Sequence, residues 1–285
     1  MDQTYCCDVG TSLVAPELAR FVARHYGARG RAWVEGLPTR IERYRVEWEL
    51  EVEAVLPTGF SSCCLAVSTT EGEAAVLKLS GPWTPARPEA LALRIWNGGA
   101  APRLLRADET GDGALLIERI TPGLPLSKAT DDLTERVAQL ISNIHMGQAS
   151  EDAARLLPPL ADVVETLITT AGAEAAARSS DEASTLAPRL EKTRRLARKL
   201  LSSEKRDETL LHGDLENRNI LHCNARGLVA IDPLPCVGEA AYDAGCWLAS
   251  LDRAEREATS ALLAQRLDLE QSRLLAWAAV VSVGP

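Results

Sequence analysis

The apolar residues of this chain change period along its length, and no other feature limits its fold as much. From Leu50 to Ile117 they fall in short strand-like runs broken by turns, and beyond Gly123 they recur at helical spacing. Leu50, Val52, Ala54 and Leu56 alternate with Glu51, Glu53 and Val55, and Pro57-Thr58-Gly59 follows as a turn. Cys64 to Ser68 and Ala74 to Leu79 flank the Glu71-Gly72 turn, which predicts an antiparallel three-stranded meander. A helix from about Pro88 to Trp96 is stopped by Gly98-Gly99. Leu104-Leu105 and Leu115 to Ile117, separated by the Thr110–Gly113 turn, complete a five-stranded sheet with one inserted helix.

Helices are expected on both sides of that sheet. Residues 16–47 read as two, with Pro16 suited to a first turn and Gly27 and Gly30 as interruptions. Segments 131–148, 160–177, 183–203, 240–250, 254–266 and 270–282 carry the helical period, with Ser179-Ser180-Asp181 as a cap between the second and third. The expected class is α+β: an N-terminal five-stranded antiparallel sheet lobe over residues 1–122 and a larger helical C-terminal lobe over 123–285. A length of 285 residues is enough to give each lobe its own core.

The formal charge of -9 and the 4% aromatic content speak against nucleic acid as a partner, since an acidic surface repels phosphates and few rings are present to stack on bases. A small cation suits this field better. No apolar run approaches ~20 residues, so no membrane span is expected. The seven cysteines include the adjacent pairs Cys6-Cys7 and Cys63-Cys64, which fit neither a disulfide framework nor a zinc site, and Met1 to Val9 is polar and acidic. A reduced, cytoplasmic protein is the expectation.

The chemistry concentrates in Leu210-Leu211-His212-Gly213-Asp214-Leu215-Glu216-Asn217-Arg218-Asn219-Ile220-Leu221, followed by Val229-Ala230-Ile231-Asp232-Pro233. Asp214 and Asn219 lie five apart on a tight loop, and Asp232 follows after a short hairpin. Magnesium takes hard oxygen ligands, usually one or two carboxylates with phosphate oxygens and waters, and Asp232 with the amide oxygen of Asn219 fits that need. An acceptor hydroxyl needs a carboxylate to orient it and take its proton, which is a role for Asp214. The transition state of phosphoryl transfer is loose, so positioning and charge neutralisation matter more than base strength. Each aspartate alone reads as a turn or cap residue; the joint pattern H-G-D-x-x-x-x-N…I-D is what points to phosphoryl transfer. His212 reads as a brace under the loop rather than a proton carrier.

This pattern resembles the aminoglycoside phosphotransferase family, which shares its fold with protein kinases, and within it the streptomycin 6-kinase and hydroxyurea phosphotransferase branch. Ala28-Arg29-Gly30-Arg31-Ala32-Trp33 through Leu37-Pro38 is similar to the branch's N-terminal helical signature. Ala230-Ile231-Asp232-Pro233, Val237-Gly238-Glu239 and Tyr242-Asp243 are similar to the motif after its catalytic loop, and the likeness runs from about residue 16 to 280. The resemblance implies a two-lobed kinase-like fold, ATP or GTP as cosubstrate and Mg2+ as cofactor. It implies Asp214 as catalytic base and Asn219 and Asp232 as magnesium ligands. Lys78 would neutralise the α- and β-phosphates and pair with Glu89. Thr58-Gly59-Phe60-Ser61-Ser62 would be the phosphate loop, with Gly59, Ser61 and Ser62 at the nucleotide, although it lacks G-x-G-x-x-G and equally fits a plain hairpin turn. Glu118 to Ile120 would be the hinge facing the purine through its backbone. Asp243 would brace the catalytic loop, and His145 would be a structural helix-end histidine.

One departure bears on the acceptor. Two residues after the catalytic aspartate, protein kinases carry a phosphate-binding lysine; here Glu216 stands there and would repel a γ-phosphate. Glu216 is therefore expected to face the acceptor and bind a guanidinium or ammonium group. The expected substrate is a small cationic antibiotic of the streptomycin type, with the tuberactinomycins capreomycin and viomycin satisfying the same chemistry and hydroxyurea a weaker fit. An inactive kinase-fold binding module is the competing class, and intact Lys78, Glu89, Asp214, Asn219 and Asp232 argue against it. H-R-D and D-F-G are missing and no A-P-E follows Asp232, which argues against a protein kinase. The basic cluster Lys192, Arg194, Arg195, Arg198 and Lys199 reads as a solvated helix face.

Overall fold

The computed structural model describes residues 13–56, 62–84, 86–110, 113–126, 132–147, 151–202 and 208–283. The chain opens with α1 (Pro16–Glu47), then runs β1 (Leu50–Val55), β2 (Ser62–Thr69), β3 (Ala74–Ser80), α2 (Ala86–Trp96), β4 (Leu104–Asp108), β5 (Ala114–Glu118) and β6 (Pro122–Pro125). It continues through α3 (Leu133–His145), α4 (Glu151–Ala154), α5 (Leu160–Arg178), α6 (Ser180–Ser202) and β7 (Glu208–Leu211). The 3-10 turn Asn217–Asn219, β8 (Ile220–Cys223), β9 (Gly227–Ala230), β10 (Cys236–Glu239), α7 (Ala241–Ala249), α8 (Arg253–Leu267) and α9 (Gln271–Val281) complete it. The α+β class read from the sequence is the one observed.

These elements form two compact units. One comprises the described residues up to Asn97 together with Pro102–Arg119, and the other Gly98–Ala101 together with the described residues from Ile120 onward. In the first unit the strands pair antiparallel in the order β1-β2-β3-β5-β4. The register places Lys78 of β3 opposite Cys64 of β2 and Leu115 of β5. Leu18, Val22, Trp33, Leu37 and Ile41 of α1 share one core with Leu65, Val67, Leu77, Leu79 and Leu116 of the sheet.

The two helices expected over residues 16–47 are two arms of α1, joined where Gly27 leaves helical geometry with φ 56° and ψ -131°. Only glycine adopts such angles without strain. Gly30, read as a second interruption, stays helical and buried, because a Cβ there would collide with the Val22 carbonyl. It is a close contact between the arms rather than a break.

In the second unit, β6-β8-β9 form one small sheet and β10-β7 another. Neither β6 nor β10 shows a strand period. Pro122-Gly123-Leu124-Pro125 is too rich in glycine and proline to show one, and Gly238 of β10 is kept bare by Leu160, whose side chain fills the place a Cβ would take. The Gly98-Gly99 helix stop has a further use. The Ala230 N–H donates to the Ala100 carbonyl at 2.8 Å, and the Arg226 guanidinium bonds the carbonyls of Gly98 and Ala101, which ties this segment to the β8–β9 hairpin.

The helices follow their caps. Ser179 Oγ accepts the Glu182 N–H at 3.0 Å at the start of α6, as expected of that serine cluster. Asp252 and Glu255 form a capping box on α8. Arg194 of the basic cluster pairs with Glu165 of α5 at 3.0 Å on an exposed face. The helical core centres on fully buried Trp247 and Trp277, with Tyr242 edge-on to Trp277 at 5.2 Å. No helix among the described residues is long and apolar enough to cross a membrane.

Candidate functional site

Each unit carries its own share of the predicted residues. In the first unit, Lys78 Nζ lies 2.7 Å from both Glu89 Oε1 and Oε2. The lysine is 4% and the glutamate 2% exposed. Desolvating two charges costs several kcal/mol, and their attraction roughly offsets that only in good geometry, so such a pair is weak evidence of a stability device. It does hold an ammonium rigidly at a fixed place on β3. Ser62 opens β2 and is buried, with Oγ 3.8 Å from Cys64 Sγ. Thr58, Gly59, Phe60 and Ser61 lie outside the described residues.

Glu118 ends β5, where its Oε2 accepts the Arg103 N–H at 3.0 Å and its own N–H donates to the Arg103 carbonyl at 2.8 Å. Ile120 belongs to the second unit and packs with Cys223 and Val229. The proposed hinge thus spans the point where the chain passes from one unit to the next.

The second unit gathers the rest. Asn219, 5% exposed, donates its amide nitrogen to Asp214 Oδ2 at 2.9 Å and to the Asp214 carbonyl at 2.8 Å. That orientation turns Oδ1 of the amide away from Asp214 and leaves it as the atom suited to a cation. The Ile231 N–H donates to the Asn219 carbonyl at 2.8 Å, which brings the Ile231-Asp232 strand end beside the loop. Asp232 itself has φ 56°, a left-handed conformation uncommon for a residue with a side chain. Backbone strain of that kind clusters where a side chain must be aimed.

His212 is fully buried beneath the loop. Its Nε2 faces the Ile231 carbonyl at 3.0 Å, and its Nδ1 accepts the Asp214 N–H at 3.4 Å. A carbonyl only accepts and a backbone N–H only donates, so the ring is the Nε2–H tautomer with both nitrogens used.

Asp243, near the start of α7, completes the support. Its Oδ2 accepts the His212 N–H and its Oδ1 the Gly213 N–H, both at 2.9 Å, and His145 Nε2 lies 3.0 Å from Oδ2. Burial would raise its pKa, but the His145 hydrogen bond and charge, with the Gly213 N–H, hold the carboxyl below the ordinary value. Gly213 has φ 81°, and a Cβ there would strike the Leu234 carbonyl, so no other residue fits the turn. Asp214 is pushed the other way, to about 6, first by burial and then by the charge of Glu216, with Asp232 adding to the effect and Arg218 and Asn219 opposing it.

Three groups escaped the sequence reading. Arg218 Nη2 lies 3.2 Å from Glu216 Oε2 and 3.6 Å from Asp214 Oδ2. Trp247 Nε1 donates to Asn217 Oδ1 at 2.9 Å, and Ser250 Oγ accepts the Asn217 N–H at 3.4 Å, so α7 fixes the far side of the loop. A buried tryptophan with a polar nitrogen is the only sequence sign that such a partner was needed.

The charges of Glu216 and Asp232 act on Asp214 in one sense and that of Arg218 in the other. No group of three or more His, Cys, Asp or Glu side chains is arranged as a metal cage among the described residues. Magnesium does not need one, since it keeps waters and phosphate oxygens and takes one or two protein oxygens. The hard-oxygen donor set therefore fits that ion and not zinc.

Comparison with known proteins agrees with this chemistry. The profile of a family described as aminoglycoside/hydroxyurea antibiotic resistance kinase matches residues 47–284. A streptomycin 6-kinase of Streptomyces glaucescens is 30% identical over 279 residues, covering 91% of this chain and 85% of its own length. A hydroxyurea phosphotransferase of Kitasatospora aureofaciens is 32% identical over 237 residues, covering 82% and 68%. Among solved structures, a spectinomycin phosphotransferase in complex with ADP and spectinomycin superposes with a TM-score of 0.58 at 11% identity, covering 86% of this chain and 85% of that one. At that identity the likeness speaks to fold alone, and the fold is the protein-kinase-like one.

Proposed function

This chain belongs to the aminoglycoside/hydroxyurea antibiotic resistance kinase family, and from that premise we propose that it transfers the γ-phosphoryl of ATP or GTP to a hydroxyl of a cationic antibiotic of the streptomycin type. The reading rests above all on one cluster: Asn219 bonds Asp214, the Ile231 N–H bonds the Asn219 carbonyl and so sets the adjacent Asp232 beside them, and His212 and Asp243 bond the same loop.

In this mechanism Asp214 accepts a hydrogen bond from the acceptor hydroxyl, aims its oxygen and takes its proton as the new bond forms. Its raised proton affinity, about 6, suits a group that must hold that proton briefly. Asn219 Oδ1 and Asp232 would hold Mg2+, which would supply charge neutralisation on the phosphates. Lys78, steadied by Glu89, presents its ammonium to the α- and β-phosphates. Glu118 and Ile120 offer backbone groups to the base, and the loop containing Gly59, Ser61 and Ser62 offers N–H and hydroxyl donors to phosphate.

Glu216 selects the acceptor by binding its guanidinium or ammonium group. A net charge of -9 draws such molecules in. The relatives are named for streptomycin and for hydroxyurea; of these, the acidic loop suits the cation. Capreomycin and viomycin carry comparable groups and belong in the same test.

The experiment is a nucleotide-consumption assay with streptomycin, capreomycin, viomycin and hydroxyurea, followed by NMR of the product. Phosphate on a hydroxyl of one cationic antibiotic is the expected result, and consumption with none of the four would remove the acceptor assignment. Glu216→Gln should raise the KM for the cationic acceptor by ~5-fold or more, as expected for a lost charge-assisted hydrogen bond, with a smaller change in kcat. An unchanged KM would place the acceptor's charge elsewhere.

A further inference from the structure

The Glu216 carboxylate, expected to receive a guanidinium from the acceptor, already holds one. Arg218 Nη2 lies 3.2 Å from Glu216 Oε2, and the same nitrogen lies 3.6 Å from Asp214 Oδ2. One guanidinium thus spans the specificity carboxylate and the catalytic one. Glu216 and Asp214 are 27% and 26% exposed, whereas the Arg218 side chain is 63% exposed. The carboxylates are mostly enclosed, that of Asp214 held by the Asn219 amide, and the cation reaches them from solvent on a long stem.

An exposed ion pair of this kind is worth little, ~0–1 kcal/mol in general, because solvent screens it and ordering a long side chain costs entropy. Arg218 therefore does not hold the loop together. That work falls to His212, Asp243, Asn219 and Trp247, which use buried hydrogen bonds. A cation held weakly over two fixed carboxylates can be exchanged for another at small cost.

We propose that Arg218 occupies the acceptor's cation subsite from within the chain, and that a guanidinium or ammonium group of the acceptor must displace it to reach Glu216 and bring a hydroxyl to Asp214. This deepens the antibiotic-kinase reading and rests on it. Arg218 is a specificity-determining residue in this scheme. It sets a threshold that a neutral molecule cannot cross by exchange, because only a competing cation satisfies the carboxylate that Arg218 leaves. It also keeps Asp214 and Glu216 from facing each other uncompensated while the subsite holds no acceptor.

The test uses methylguanidinium, the smallest probe of that chemistry, titrated calorimetrically into the full chain and into R218A, E216Q and the double variant. R218A should bind it about 2–5-fold more tightly than the unaltered protein, the span an exposed ion pair is worth. The gain should vanish when Glu216 is also replaced. Equal affinity in the unaltered protein and R218A would overturn the proposal, and so would a gain that persists in the E216Q background. With the acceptor that the turnover screen identifies, R218A should lower KM; a fall in kcat at constant KM would assign Arg218 to the reacting phosphoryl instead. Because methylguanidinium binding needs no turnover, absence of antibiotic phosphorylation would sink the acceptor reading and leave the displacement result standing on its own.

Discussion

Asp214→Asn is expected to lower kcat by about 10²-fold or more, the usual weight of a positioned acid or base, and at the same time to make the metal-free protein more stable at pH 8. Both effects come from one cause. Burial first, and then the charge of Glu216, raise the Asp214 pKa to about 6, above the ordinary aspartate value. A carboxylate whose folded value lies above its unfolded value is penalised in the native state wherever it is ionised in both. That penalty is complete above about pH 6, shrinks as pH falls and is gone below the unfolded value near 4. Asparagine removes the charge but keeps the shape and an oxygen able to accept from the Asn219 amide.

The gain should be on the order of 1–2 kcal/mol after allowance for the part of the side chain open to solvent, which for a chain of this size is a rise in Tm of a few degrees. Melting curves in EDTA at about pH 8 and pH 4 give the test, with the difference between the proteins present at the first and absent at the second. A variant that keeps near-normal turnover would end the assignment of Asp214 as base. A difference between the two proteins that is the same at both pH values, or absent at both, would show that the loop does not strain its carboxylate.

How much of this was visible in the amino-acid order depends on what each residue answers to. Strands β1 to β5 were legible because short apolar runs are bounded by turn residues; β1 alternates with Glu51 and Glu53 exposed, whereas the central strands are buried on both faces and read as continuous runs such as Leu65-Ala66-Val67 and Leu115-Leu116-Ile117. The reactive loop was legible because Asp214 and Asn219 bond each other five positions apart and His212 Nδ1 accepts from Asp214, so their spacing carries that part of the geometry. Asp243 was legible only through the family motif. It accepts from His212 and Gly213 some 30 positions earlier, and no local period encodes that. Arg218 was passed over for a physical reason: in a loop of charged residues an arginine looks solvated, and only its distances to Glu216 and Asp214 reveal a role. Trp247 looked like core, and it is core, but its indole nitrogen also anchors Asn217. What the sequence hides is long-range polar pairing, since a hydrogen bond between distant residues leaves no periodic trace.

Asp243→Ala should be the most damaging substitution for folding of the second unit. Its carboxylate is wholly buried and satisfies two backbone N–H groups, of His212 and Gly213, together with His145. Alanine strands those donors away from water and leaves a cavity under the loop. Breaking a buried charged network of this kind costs about 3–5 kcal/mol, which for a chain of this size corresponds to a fall in Tm of roughly 10 °C or more. Acid titration separates this from a plain packing defect. The Asp243 pKa lies below the ordinary carboxylate value when folded, so its stabilisation is fully present above about pH 4 and is lost as pH falls through the folded value. Asp243→Asn should therefore be less stable than the unaltered protein at neutral pH, and its stability should fall less steeply on acidification. Because His212 and Gly213 then lose their fixed partner, Asp214 should also be misplaced, so kcat should drop even where the variant stays folded. Parallel acid limbs in the two proteins would mean that the Asp243 carboxylate is not the group that holds the loop.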